Sequence, residues 1–220
     1  MLETFDVTSE AAQEQPFLIP SGDDPLGLES AGVLMSVEEF EAIEDYDEAY
    51  CYELVNGVLI VNPIPLPVES GPNDILGQLL RNYKDDHPQG SALDLTLPQQ
   101  YIRLPNSRRI ADRVIWTGLG RLPNHRLDIP TIAVEFVSKG SRSRKRDYVD
   151  KRRNYAEAGV SEYWIIDRFQ RTLTVVGYRL PEQADLTIAE KEAYQSPLLP
   201  GFEVPLARLL ASADQLAEFD

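Results

Sequence analysis

Two acidic residues stand where the sequence predicts buried strands. Asp112 interrupts the strand-like run from Ile110 to Trp116, and Glu135 ends the apolar run Thr131-Ile132-Ala133-Val134, 23 residues after Asp112. A carboxylate inside a buried strand is costly unless a partner such as a metal ion compensates its charge. The two residues are therefore candidates for one site that uses negative charge.

A lysine on the next predicted helix supplies the opposite charge. Lys151 lies one helical turn from Asp147 and one turn from Tyr155, so the three side chains share a helix face. Two carboxylates can hold a divalent cation, which polarises a phosphoryl group and lowers the pKa of an attacking water. A nearby lysine can orient that water or stabilise the pentavalent phosphorane. If this face looks at Glu135, the residues suit phosphodiester hydrolysis.

Each candidate also has an ordinary structural interpretation. Asp112 could be a sheet-end acid paired with Arg109 or Arg113, and Lys151 alone would be a surface lysine. Glu53 could be an exposed hairpin residue or a further acid that reaches a metal through water. At the level of sequence these alternatives stay open.

Charge is distributed unevenly along the 220 residues. The net charge of −15 argues against a nucleic-acid partner, yet residues 61–180 carry a net charge of +6. Residues 1–60 contain 15 Asp and Glu and no Lys or Arg. Four basic residues just after Glu135 are candidate nucleic-acid-binding residues: Arg142, Arg144, Lys145 and Arg146. The alternative for such a run is a solvated helix start with local ion pairs.

Length and composition predict one domain with short flanking segments. We expect an acidic, flexible tail over residues 1–33, a domain over residues 34–212 and a C-terminal tail over residues 213–220. The single cysteine, Cys51, excludes an intrachain disulfide framework. No apolar stretch reaches the roughly 20 residues that a membrane span needs. We therefore expect a cytoplasmic protein without a membrane partner.

Periodicity predicts alternating helices and strands. Asn56-Gly57 between two apolar runs predicts a two-residue hairpin with a type I′ turn. Helices are predicted over 37–48, 69–85 and 146–158, with a short closing helix from Leu206 to Leu210. Further strands are predicted at about 95–103, 110–116, 130–137, 162–167 and 171–178.

Five blocks, in order, resemble the Uma-two family of predicted endonucleases. The blocks are Tyr52-Glu53-Leu54-Val55-Asn56-Gly57, Ala111-Asp112-Arg113-Val114-Ile115, Val134-Glu135-Phe136-Val137-Ser138, Asp147 to Tyr155, and Gly159-Val160-Ser161-Glu162-Tyr163-Trp164-Ile165-Ile166-Asp167. The resemblance runs from about Met35 to Leu210. The family belongs to the PD-(D/E)XK superfamily, which has the restriction-endonuclease-like fold.

The resemblance implies an α/β protein with a mixed β-sheet flanked by α-helices, preceded by an N-terminal helix and β-hairpin. It also implies a magnesium-dependent DNA endonuclease, in which manganese can substitute, with Asp112 and Glu135 as metal ligands. The lysine usual two residues after the glutamate is replaced by Val137, so Lys151 would stand in as a migrated lysine. Glu53 would assist at the metal. A homodimer is expected because cutting two strands requires two sites.

Departures from the family pattern leave a second hypothesis open. Ala111 precedes the first acid where proline is usual, and Arg113 replaces an apolar strand residue, which questions the local sheet packing. Lys139-Gly140 stands where proline and serine are common. In the alternative, the nuclease fold is a catalytically inactive binding or regulatory module, and the acidic N-terminal 60 residues dock a partner or mimic DNA.

Overall fold

An eight-stranded mixed sheet flanked by helices forms the centre of the protein. The structure is a computed structural model that describes residues 25–178 and 185–219. The strands are β1 Tyr50–Val55, β2 Val58–Pro63, β3 Leu93–Leu104, β4 Ser107–Thr117, β5 Ile132–Phe136, β6 Glu162–Asp167, β7 Thr172–Gly177 and β8 Leu186–Ala189. All but β8 were predicted from the sequence.

The helices cover both faces of this sheet. They are α1 Val37–Glu41, α2 Pro67–Asp86, α3 Ser141–Lys145, α4 Arg152–Ala158 and α5 Leu206–Leu216, and α3 and α4 are joined by the π-helical segment Arg146–Lys151. Three-residue 3₁₀ turns lie at Leu28–Ser30, Gly90–Ala92 and Ala217–Phe219. Within the described ranges no helix is long and apolar enough to span a bilayer.

Strand order follows from two kinds of connection. The sheet runs β2-β1-β4-β5-β6-β7-β8, and β3 pairs with β4. Among the strands of the described residues, only β5 and β6 pair in parallel, and the chain between them passes through α3, the π-helical segment and α4. This is the strand–helix–strand crossover that the sequence predicts, since neighbouring parallel strands need a long connection.

The first hairpin has the predicted turn. Asn56 and Gly57 have φ values of 51° and 79°, as a type I′ turn requires. The residues before α1 join this hairpin, because the Gly32 amide donates to the Leu59 carbonyl and the Leu59 amide donates to the Val33 carbonyl. The predicted boundary at residue 33 remains a prediction, and residues 1–24 of the expected tail lie outside the described residues.

Three helix predictions had wrong ends. Helix α1 ends at Glu41, well before residue 48, because the following main chain at Asp45 and Asp47 bonds to Leu26 instead of continuing the helix. The closing helix extends to Leu216, since its apolar face packs against the sheet core. The third helical region begins at Ser141, five residues before the predicted start.

Two apolar layers lie on opposite faces of the sheet. The layer between the sheet and helices α2 and α5 contains Leu76, Ile115, Val134 and Trp164. The layer between the sheet and α4 contains Val114, Ala133, Tyr155 and Ile165, among others. Successive residues of a strand point to opposite faces, so β4 and β5 each contribute to both layers.

A buried arginine occupies the layer under α2. Arg113 is 1% exposed, and its guanidinium donates to Asn73 Oδ1 at 2.7 Å, to the Asn73 carbonyl at 2.9 Å and to Thr96 Oγ1 at 3.2 Å. Burial lowers its pKa to about 10. Gly77 leaves room for this group, because an added Cβ would lie 2.4 Å from Arg113 Nη2. Helix α2 thus supplies hydrogen-bond partners and space for a charged residue at an apolar strand position.

Replacing Gly77 by alanine is predicted to destabilise the protein by about 2 kcal/mol. Alanine favours the helix by about 1 kcal/mol, but its methyl group displaces a guanidinium that cannot move without breaking three hydrogen bonds. Urea unfolding of Gly77→Ala, compared with Gly77→Ala in an Arg113→Leu background, measures the effect. The substitution should be harmless or stabilising in the second background, and an equal loss in both would refute this explanation.

Candidate active site

The sheet places Asp112 and Glu135 side by side on one face. Arg113 pairs with Val134 across β4 and β5, so the register puts Asp112 opposite Glu135 one step further along. Residues directly opposite in an antiparallel pair project to the same face. The Phe136 amide also donates to Asp112 Oδ2 at 2.7 Å, which holds this carboxylate against the end of β5.

Glu135 is enclosed by two side chains from the helical crossover. Lys151 Nζ donates to Glu135 Oε2 at 2.7 Å, and Tyr155 Oη donates to Oε1 at 2.6 Å. Glu135 is 1% exposed and Lys151 is 4% exposed, so this is a buried ion pair. The predicted helix face does therefore look at Glu135.

The site lies where the sheet splits. One edge of β4 pairs with β3 along its length, but the other edge pairs with β1 at Arg108 and with β5 only from Arg113 to Ile115. Between these pairings, the Ile110 amide donates to Glu53 Oε1 at 2.8 Å and the Ile110 carbonyl accepts from Lys151 Nζ at 2.7 Å. Side chains thus replace the missing strand partner of Ile110.

Glu53 and Asp112 differ from their ordinary structural interpretations. Glu53 is 3% exposed, so it is no exposed hairpin residue, and its Oε2 lies 3.4 Å from Arg109 Nη1. Asp112 forms no ion pair with Arg109, which faces Glu53, or with Arg113, which lies on the other face of the sheet.

Burial changes the protonation chemistry of the site. It raises the pKa of Asp112 to about 6, opposed by Lys151 and by the Phe136 amide. Burial also raises the pKa of Glu135, with the charges of Asp112 and Asp147 adding to the rise and Lys151 opposing it. Burial alone would lower the pKa of Lys151, but Glu135, Glu53 and Asp147 raise it. The site therefore keeps its ammonium group and favours added positive charge.

A cleft of about 80 Å³ opens beside these groups. Its polar lining comes from seven separate segments of the chain and comprises Glu53, Asn62, Glu69, Gln99, Asp112, Ser138, Arg146 and Lys151. A larger groove of about 340 Å³ lies at the end of α2 beside Tyr83 and Phe202. That groove contains none of the predicted site residues, so the smaller cleft is the candidate site.

The four predicted nucleic-acid-binding residues have different surroundings. Arg142 and Lys145 are exposed, and no carboxylate of the described residues pairs with either. Arg144 instead bonds the buried Asp167 at 2.7 Å and so anchors α3 to the end of β6. Arg146 lines the cleft. The structure thus brings Arg146 to the carboxylates and uses Arg144 within the fold.

The donor set fits a hard divalent cation. Asp112 uses only Oδ2 in hydrogen bonding to the described residues, which leaves Oδ1 available beside the cleft. Across residues 25–178 and 185–219, no group of three or more His, Cys, Asp or Glu is placed so that it could hold a metal ion by itself. Magnesium commonly uses one or two carboxylates together with waters and substrate phosphates. Asp112 would supply a free oxygen to such an ion, whereas both oxygens of Glu135 accept hydrogen bonds from Lys151 and Tyr155, so Glu135 would have to exchange one of these bonds to join it.

Two residues of the site were not among the predicted site residues. Tyr155 donates a hydrogen bond to Glu135, and Asp147 is completely buried one helical turn before Lys151. The spacing of four residues from Asp147 to Lys151 and again to Tyr155 is the signal that identifies both, because it puts them on one helix face.

Replacing Lys151 by methionine is predicted to lower the free energy of unfolding by about 3 kcal/mol, because it leaves the Glu135 carboxylate buried without its cation. Urea denaturation at neutral pH measures this loss. Lys151→Met combined with Glu135→Gln should recover part of it, and Lys145→Met at an exposed position should change stability by less than about 0.5 kcal/mol. An equally small effect of Lys151→Met would contradict the buried ion pair.

Asp112→Asn is predicted to change how stability depends on pH. The folded pKa of Asp112 is about 6, above its ordinary value of 3.8, so the native state binds more protons between these values. Stability contributed at Asp112 is therefore present at low pH and lost as pH rises from about 4 to about 6. Asp112→Asn removes a decline on the order of 2 kcal/mol. Parallel curves for the two proteins in denaturant titrations would exclude the shift.

Comparisons with known proteins agree with this fold. A crystal structure at 1.96 Å resolution, described as a putative nuclease belonging to DUF820 from Anabaena variabilis, is similar to this chain with a TM-score of 0.64. The two sequences are 16% identical, and the similarity covers 81% of this chain and 99% of the other. It supports a restriction-endonuclease-like fold. A search of curated proteins gave no match.

A family model gives the assignment. The model of the Uma2 family, described as "Putative restriction endonuclease", matches residues 37–207. This range includes Glu53, Asp112, Glu135 and Lys151 and most of the described chain. The chain therefore belongs to the Uma2 family.

Proposed function

We propose that this protein is a magnesium-dependent endonuclease that hydrolyses DNA phosphodiester bonds. The observation that supports it is that Asp112 and Lys151 line one cleft and Lys151 bonds Glu135, although the three residues come from two strands and a helix. Family membership supports the reaction class. The metal ion and the DNA substrate are part of the proposal.

The proposed chemistry assigns a role to each side chain. Asp112 and Glu135 would hold the cation, which when bound would polarise the phosphoryl group and lower the pKa of the attacking water. Lys151 keeps its proton, so its ammonium group orients the water or stabilises the negative charge of the phosphorane. Glu53 supports the site by fixing the Ile110 main chain and can contact the metal through water.

DNA is the proposed substrate because basic residues adjoin the cleft of an otherwise acidic protein. Arg146 lines the cleft, and Arg142 and Lys145 expose their charges on the same helical region. Lysine and arginine gain affinity for a phosphate backbone by displacing its counterions. The net charge of −15 restricts such binding to a local cationic surface.

The proposed activity is tested by plasmid nicking with magnesium or manganese. We expect Asp112→Asn and Glu135→Gln to lower the cleavage rate by at least about 100-fold, because each removes a charge that the cation needs. Both substitutions keep the shape of the side chain. Glu157→Gln, at an exposed position of α4, is the matched control and should cleave like the native protein.

Two results would oppose the proposal in different ways. Equal nicking by the native protein and by both site variants would place any hydrolysis elsewhere. No nicking, no heat on calorimetric titration with magnesium and intact salt-sensitive DNA association would favour the inactive binding module instead.

A further inference from the structure

A completely buried aspartate stands behind the cleft. Asp147 has no exposed surface, and it belongs to the π-helical segment Arg146–Lys151. Its Oδ1 accepts a hydrogen bond from Arg146 Nε at 2.9 Å, and its main-chain carbonyl accepts one from Tyr163 Oη at 3.0 Å. Hydrogen bonds therefore hold both the side chain and the main chain of Asp147.

The stability of the fold does not explain this residue. Asp147 Oδ2 is buried and has no hydrogen-bond partner among the described residues. An unsatisfied buried acceptor costs about 1–3 kcal/mol, and π-helical turns within helices are frequent at functional sites. A costly charge in an irregular turn indicates a role in the site.

Arg146 is the group on which Asp147 acts. Its Nε is bonded to Asp147, and no other hydrogen bond engages its guanidinium within the part of the chain that the structure describes. The two terminal nitrogens thus remain available, and the side chain lines the cleft together with Asp112 and Lys151. Arg144 differs, because both of its terminal nitrogens bond Asp167.

The chemistry of a held guanidinium indicates its ligand. A planar guanidinium fixed at Nε presents its remaining donors as a fork, which matches two oxygens of one phosphate group. A free lysine or arginine at the surface would supply charge without this geometry. Glu53, Asp112 and Glu135 are the other carboxylates near Arg146, and among the described residues none of them accepts a hydrogen bond from its guanidinium.

We propose that Asp147 is a positioning residue that holds the Arg146 guanidinium at the cleft, where it binds a phosphate group of the nucleic-acid backbone. The inference rests on the proposed function for its ligand. It concerns binding rather than hydrolysis, so it can be tested on the full chain without a metal ion.

The experiment measures binding of a fluorescently labelled DNA duplex in EDTA at fixed salt. We expect Arg146→Gln and Arg146→Lys each to raise Kd about 10-fold, because neither replacement offers the held fork. Asp147→Ala should raise Kd by a similar factor, whereas Asp147→Asn keeps an oxygen acceptor for Arg146 Nε and should change Kd by less than about 3-fold. Unfolding curves verify that each variant is folded.

Double variants separate positioning from a general loss of charge or structure. Asp147→Ala should have no further effect in the Arg146→Gln background but its full effect in the Arg142→Gln background, which is the charge-matched control. Additive effects of Asp147→Ala and Arg146→Gln would overturn the inference, as would native affinity of Arg146→Lys or absence of duplex binding by the native protein. Binding with this coupling but without plasmid cleavage would sustain the inference and refute the nuclease proposal.

Discussion

The buried charge of Glu135 is the constraint on which the site and its surroundings depend. A carboxylate in the middle strand of the sheet must be matched, and Lys151 and Tyr155 match it through bonds of 2.7 and 2.6 Å. Both partners come from the crossover between β5 and β6. The same pair of bonds therefore fixes the helical layer against the sheet and fixes the ammonium group beside Asp112.

The opposite face of the sheet holds Asp112 in place. Asn73 Nδ2 donates to the Asp112 carbonyl at 2.7 Å while Asn73 Oδ1 accepts from Arg113. Asn73 of helix α2 thus bonds two successive residues of β4, and Gly77 lets the helix approach the buried guanidinium. Neighbouring strand residues point to opposite faces, so the contacts that hold Arg113 under α2 also hold the main chain from which the Asp112 side chain projects.

Local patterns predicted the strands well, because alternating apolar runs and a turn at Asn56-Gly57 depend on adjacent residues. An acid in an apolar strand is also a local pattern, and it indicated Asp112 and Glu135, which the sheet places side by side. Features that depend on distant partners were not predictable. Arg144 bonds Asp167, which lies 23 residues further along, so its contact between α3 and the end of β6 was visible only in the tertiary structure. The π-helical segment was not predictable either, because helix propensity does not indicate where an α-helix changes to π-helical geometry.

The balance of charge around the cleft bears on how a phosphate could enter it. Five carboxylates, Glu53, Glu69, Asp112, Glu135 and Asp147, lie together with three cations, Arg109, Arg146 and Lys151. This surplus of negative charge opposes a phosphodiester, and burial strengthens the opposition because water screens it poorly. The Arg146 guanidinium, which Asp147 holds at the cleft, offsets part of this opposition without a metal ion. Under the proposed function, a divalent cation would strengthen the binding of the phosphate as well as activate it.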